Sequence, residues 1–135
     1  MKKGILTDKE YDFIYSRSPR VCVDLVLLDY EGTPLLLKRQ TSPYKGKYHL
    51  PGGRIRFRET IDKAIKRIAK NEIGENVIIG SQIGFMQFMR ECQNGNKRHS
   101  VSLVFMVYMI SKKRNTIHSN VHPVHLKFLK EKNIL

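Results

Sequence analysis

Between Leu50 and Gly74 the chain changes its period, and this change restricts the fold more than any other feature. Leu50-Pro51-Gly52-Gly53 is a turn with two successive positions free of side chains, where backbone can approach a ligand. Arg54, Arg56 and Arg58 then alternate with Ile55 and Phe57, the period of a strand with one basic and one apolar face. From Thr60 the spacing is helical. Ile61, Ala64, Ile65, Ile68 and Ala69 form one stripe, Thr60 is an N-cap with Asp62 in the first turn, and Gly74 is the stop. Turn, strand and a helix over residues 60–73 are expected in immediate succession.

Around this unit the chain reads as sheet. Val21 to Leu28 is a largely buried strand broken by Asp24, and Tyr30-Glu31-Gly32-Thr33 leads into Pro34 to Arg39, so a hairpin is expected. A basic loop, Gln40 to Lys47, follows. After Gly74, Val77 to Ile83 and Phe85 to Arg90 are strand-like, Gln93-Asn94-Gly95-Asn96 is a hairpin turn, and His99 to Ile110 returns. The segment up to about Arg20 reads as polar chain, and Leu126 to Leu135 as a short strand with a helical stub. The order β-β-β-α-β-β-β gives an α/β domain on a mixed sheet, and 135 residues suit a single domain over 1–135.

Charge narrows the partners. Lys plus Arg number 25 against 12 Asp plus Glu, a net +13 that favours a phosphate-rich partner or an anionic surface. The longest apolar run, Val101 to Ile110, contains Ser102 and is shorter than the roughly 18 residues a membrane span needs. The start turns acidic at Asp8 before a signal-like stretch develops, so a soluble, cytoplasmic chain with no membrane partner is expected. Cys22 and Cys92 lack metal-site spacing and are expected as reduced, buried thiols.

The residues with chemistry gather near the period change. At about 100° per residue, Glu72 lies roughly 20° around the helix from Ile61, within the apolar stripe. A carboxylate there needs a partner: Arg67 or another cation in an ion pair, or a divalent metal held between Glu72 and carbonyls of the glycine turn. The neighbouring glycines and arginines favour the metal, because a cation beside several guanidiniums is what a diphosphate requires. Asp24 either points outward from a half-exposed strand or meets a hydroxyl or water in a pocket. Glu59 is expected to brace the loop-helix junction near the helix N-terminus, with metal contact as the second reading. In Asn120-Val121-His122-Pro123-Val124-His125, His122 and His125 are candidates for a proton acceptor near neutral pH. His49, beside the glycine turn, reads mainly as packing.

Gly53, Glu59, Arg67, Glu72 and Gly74 fall in register with Gly-x5-Glu-x7-Arg-Glu-U-x-Glu-Glu-x-Gly-U, where U is apolar, and by this the sequence resembles the Nudix hydrolases. Ile68, Asn71 and Glu75 replace two carboxylates and the last apolar position of that box. The same losses are similar to the GDP-mannose mannosyl hydrolase branch. So are Tyr11-Asp12-Phe13, Arg17-Ser18-Pro19, Asp24, Leu36-Leu37-Lys38-Arg39 and Leu50-Pro51-Gly52-Gly53-Arg54. That branch's late-loop Gln metal ligand and its tyrosine near Ser100 have no counterpart here.

The resemblance implies a Nudix-type α/β/α sandwich with a mixed β-sheet. It implies Mg²⁺ on Glu72 and the Gly52 carbonyl, with Glu59 as the lesser metal candidate. Arg39, Arg54 and Arg67 would contact or organise a diphosphate, and Asp24 would face a sugar. The implied reaction is attack of water on the anomeric carbon of a nucleotide sugar, GDP-mannose being the favoured example, with His122 or His125 as base. Cleavage at phosphorus by an ordinary pyrophosphohydrolase and a catalytically weak, RNA-binding domain are the alternatives. The partner expectations are a nucleotide-sugar substrate from the resemblance, weak non-specific nucleic-acid binding from the basic charge, and as a further possibility a homodimer.

Overall fold

The computed structural model describes residues 6–40, 44–93, 95–109 and 114–135. The chain start, the middle of the basic loop, Asn94, Ile110 and the basic pair Lys112-Lys113 lie outside the described residues. The elements are α1 (Asp8–Tyr15), β1 (Arg20–Leu27), β2 (Leu37–Lys38), β3 (Tyr48–His49), β4 (Gly52–Arg54), α2 (Ile61–Ile68), β5 (Ile78–Gln93), β6 (Asn96–Tyr108) and α3 (Pro123–Glu131). A π-helical turn, Ala69–Ile73, continues α2.

The sheet runs β4-β1-β6-β5, with β1 parallel to β6 and the other two pairs antiparallel. Alternation along β1 sends Val23, Leu25 and Leu27 to one face, where they pack on Ala64, Ile65, Ile68 and Ala69 of the α2 unit. Val26 faces the other way, with Val104 of β6 and Phe128 and Leu129 of α3. Helices thus cover both faces of a mixed sheet, the expected α/β/α layering. Cys22 and Asp24 have the parity of Val26, and Ser100 and Ser102 that of Val104. The apolar row under α3 therefore continues into a polar one.

Several local expectations change in three dimensions. The segment before Arg20 holds α1, which starts in a capping box: Thr7 Oγ1 accepts from the Glu10 N–H, and Glu10 returns a bond to the Thr7 N–H. Tyr11 buries against the sheet and Asp12 pairs with Arg98, so tertiary contacts hold a short polar helix. The first hairpin is brief. After the Leu28–Pro34 bridge, β2 leaves β1 and pairs with β3. The basic strand ends at Arg54, because the chain turns at Arg58 with φ of 61° to enter α2. The two strands after Gly74 are one, β5, bent by register shifts near Gln82, Gly84 and Phe88. The tail forms α3, with His122 as N-cap and Pro123 in its first turn. Cys22 is half-buried and Cys92 is exposed, both as free thiols.

Candidate active site

A cavity of about 250 Å³ lies where the polar row of β1 and β6 ends under α3. Its floor is Cys22, Asp24, Ser100 and Ser102. Asp24 is buried and accepts a hydrogen bond from Ser102 Oγ. Burial pushes the Asp24 carboxyl up to about 7, with the charges of Glu72 and Glu91 adding to the rise and the Ser102 bond opposing it. Opposite Asp24 in the β1–β4 pairing stands Gly52. A Cβ there would overlap the Asp24 carboxylate and come within 2.7 Å of the Val23 carbonyl, so the glycine is required by close approach. Arg20 spans the floor, donating to Ser100 Oγ at 3.0 Å and to the Tyr11 hydroxyl at 2.8 Å.

The basic rim comes from separate elements. Arg39, just after β2, and Arg54, at the end of β4, both border the cavity. The Arg54 guanidinium lies 5.5 Å from the ring centres of Tyr11 and Tyr15, which gives α1 a place in the site. Arg67 faces the loop before α2 instead. It holds Glu59 through Nε and Nη2 at 2.8 and 2.9 Å and the Arg54 carbonyl at 2.8 Å. Glu59 also accepts from the Arg56 N–H at 3.0 Å, and its pairing with Arg67 lowers its carboxyl to about 2. Both oxygens of Glu59 are thereby engaged in clasping the loop to the helix.

Glu72 sits on the π turn, closed by the Gly74 N–H to the Ala69 carbonyl, so the helical projection of 100° per residue stops applying after Ile68. The residue is exposed, yet protein crowded around its carboxyl end raises its pKa, while a backbone hydrogen bond from Gly52 works the other way. It borders a second hollow together with Arg39 and His49. Among the described residues no three His, Cys, Asp or Glu side chains cluster as metal ligands. Mg²⁺ needs no such cage, since it keeps waters and takes one or two carboxylates plus substrate phosphate oxygens. An accessible carboxylate crowded by protein and joined to the glycine turn by a backbone hydrogen bond fits that demand.

Three histidines border the cavity. His122 and His125 stand 5.0 Å apart and are buried, whereas His49 is half-buried. Burial lowers all three, His122 to about 4 and His125 well below the ordinary imidazole value, with the Arg39 charge acting in the same direction on each. His118 stacks on Tyr48 at 3.6 Å, away from this group.

The family model for the NUDIX domain matches residues 18–128. The chain belongs to the Nudix family. Its Nudix box supplies the glycine turn, the Glu59–Arg67 clasp and Glu72 at the positions just described. Low-salt glycan biosynthesis protein Agl8 of Haloferax volcanii is 31% identical over 105 residues, 76% of this chain and 67% of that protein. ADP-ribose pyrophosphatase of Methanocaldococcus jannaschii is 33% identical over 92 residues, 68% of this chain and 52% of that protein, so the match spans about half of that relative. Among solved structures, the MutT protein of Methanosarcina mazei Go1 superposes with a TM-score of 0.64 at 21% identity, over 86% of this chain and 94% of that one. The Nudix domain of Shewanella oneidensis NrtR, solved with ADP ribose, gives 0.58 at 18% identity over 95% and 97%. At those identities the fold is what is shared.

Sequence reasoning reached Asp24, Arg39, Gly52, Arg54, Glu72, His122 and His125, all of which border one or other of the two hollows. It passed over Arg20, Ser100, Ser102 and Glu91, and took Tyr11 only as part of the resemblance; all five border the first. Ser100 and Ser102 left a signal, two hydroxyls at a period of two where the strand turns apolar.

Proposed function

We propose that this Nudix hydrolase cleaves nucleoside diphosphate sugars, with GDP-mannose the favoured substrate, by attack of water on the anomeric carbon to release nucleoside diphosphate and free sugar. The observation that carries the reading is the division of the site: a hydroxyl-matching floor of Asp24, Ser100 and Ser102 beside a rim of Arg39 and Arg54 with Glu72 at its edge. Asp24 would accept from a sugar hydroxyl while Ser102 holds its second oxygen. Arg39 and Arg54 would pair with the diphosphate oxygens, whose charge grows as the glycosyl bond breaks. Arg67 acts through Glu59 by fixing the loop that carries Arg54. Glu72 and Gly52 are the residues that would hold Mg²⁺, which when bound stabilises the departing diphosphate.

The sequence supports the choice of bond. Ile68 and Asn71 stand where carboxylates would help to make a strong nucleophile beside phosphorus, and a glycosyl carbon with a diphosphate leaving group asks less of the nucleophile. The glycan-biosynthesis relative is compatible with a sugar substrate. The ADP-ribose pyrophosphatase relative favours a second reading, cleavage between the phosphates of a nucleoside diphosphate derivative. Incubation with Mg²⁺ and a panel of nucleotide sugars and ADP-ribose separates the two. Nucleoside diphosphate and free sugar are expected; nucleoside monophosphate and sugar phosphate would establish the second reading instead.

A further inference from the structure

Backbone partners divide the three histidines of the site by chemistry. Leu50, fully buried, spends both of its backbone groups on imidazoles: its carbonyl lies 2.7 Å from His49 Nδ1, and its N–H donates to His125 Nδ1 at 3.2 Å. A carbonyl only accepts, so His49 Nδ1 carries the hydrogen and the lone pair of its neutral ring is on Nε2. An amide N–H only donates, so His125 is fixed as the opposite tautomer, with its hydrogen on Nε2. His122 is fixed in the same way, because its Nδ1 caps α3 by accepting from the Val124 N–H at 3.1 Å. Of the three, His49 alone has a basic nitrogen not engaged by backbone. It also borders both the Asp24 cavity and the hollow that holds Arg39 and Glu72, where the sugar and diphosphate ends of a substrate would meet.

We propose that His49, through Nε2, is the base that takes a proton from the attacking water, and that His122 and His125 present Nε2–H donors to substrate oxygens. This assignment rests on the nucleotide-sugar reading above and replaces the base expected at His122 or His125. In the step, the water oxygen bonds to the anomeric carbon as the bond from that carbon to the diphosphate oxygen breaks. The electron pair leaves with the nucleoside diphosphate, and the water proton passes to His49 Nε2. The resulting imidazolium keeps its Nδ1–H bond to the Leu50 carbonyl and returns its proton to solvent. Burial and the nearby Arg39 charge lower His49, which keeps the free base populated at neutral pH, while the Leu50 carbonyl favours the charged ring once formed.

The test has two arms on the full chain. Long-range ¹H–¹⁵N correlation of the imidazole rings at neutral pH is expected to show His49 protonated on Nδ1 and His122 and His125 protonated on Nε2. His49→Ala is expected to lose about 10²-fold or more in kcat, and added imidazole to restore part of it. If that variant fails to fold, His49→Gln takes its place, and the tautomer measurement on the unaltered protein stands by itself. A His49 ring protonated on Nε2 overturns the assignment. So does turnover by His49→Ala within about threefold of wild type, or a loss in a folded variant that imidazole does not relieve; in these cases the hydrolase reading survives. No turnover of any nucleotide derivative by the wild-type protein overturns that reading and the base with it.

Discussion

Asp24 and Glu59 carry opposite pH signatures, and each follows from what surrounds a single carboxyl group. Asp24 has a folded pKa of about 7, against roughly 3.9 in an unfolded chain. The folded protein therefore holds more protons than the unfolded one between those values, and this group makes stability fall as pH rises from about 4 to 7. Asp24→Asn removes that penalty. Thermal unfolding should give a higher Tm for the variant than for wild type at pH 8 and a small difference at pH 4, together with reduced turnover. A lower Tm at pH 8 would mean that the carboxylate is better satisfied than its burial indicates. Glu59 is lowered to about 2, so its contribution is present above its unfolded value and is lost as pH falls toward 2. Removing its partner with Arg67→Met should cost about 1–3 kcal/mol at pH 7 in denaturant unfolding, with the difference shrinking as pH approaches 2. A cost that stays constant with pH would place the role of Arg67 in packing rather than in the ion pair.

The α2 unit shows how local sequence and tertiary geometry share the work. Its Thr60 cap, apolar stripe and Gly74 stop are written at helical spacing; the cap and the stop appear in the structure, and Ala64, Ile65, Ile68 and Ala69 are buried as the stripe requires, whereas Ile61 is exposed. The widening at Ala69–Ile73 was not legible, since a period of 3.6 is assumed in any such projection, and the π turn places Glu72 by a bond between residues five apart. Glu72→Gln should reduce Mg²⁺-dependent turnover by about 10²-fold while leaving the unfolding profile intact. Retained activity with an unchanged Mg²⁺ requirement would remove Glu72 from the metal site. α1 was hidden for a different reason. Its capping box, Thr7 and Glu10, is readable, but eight residues, half of them charged, carry too little periodicity, and the helix depends on Tyr11 docking and on the Asp12–Arg98 pair. The polar floor was hidden by topology. Asp24, Ser100 and Ser102 meet because β1 and β6 run parallel in one register, which nothing local specifies. The His49 and His125 tautomers depend on Leu50, 75 residues from His125, and so lay beyond any reading of the late loop alone.

Across the whole molecule, the +13 charge and the cavity act at different ranges. Diffuse positive charge attracts any polyanion through counterion release, so weak RNA binding at about 50 mM salt should vanish by about 200 mM and show no sequence preference. Binding that survives the higher salt, in a protein inactive on every nucleotide, would favour a nucleic-acid role for the fold. The described residues contain no helix long and apolar enough to cross a membrane. The proposed function makes a claim about one bond, in which a floor suited to hydroxyls beside an arginine rim would set water against carbon rather than phosphorus. Hydrolysis of a nucleoside diphosphate sugar in ¹⁸O-labelled water, with both products analysed by mass, tests this most directly. The account predicts label in the free sugar and unlabelled nucleoside diphosphate; label in a phosphate group, with nucleoside monophosphate as product, would contradict it.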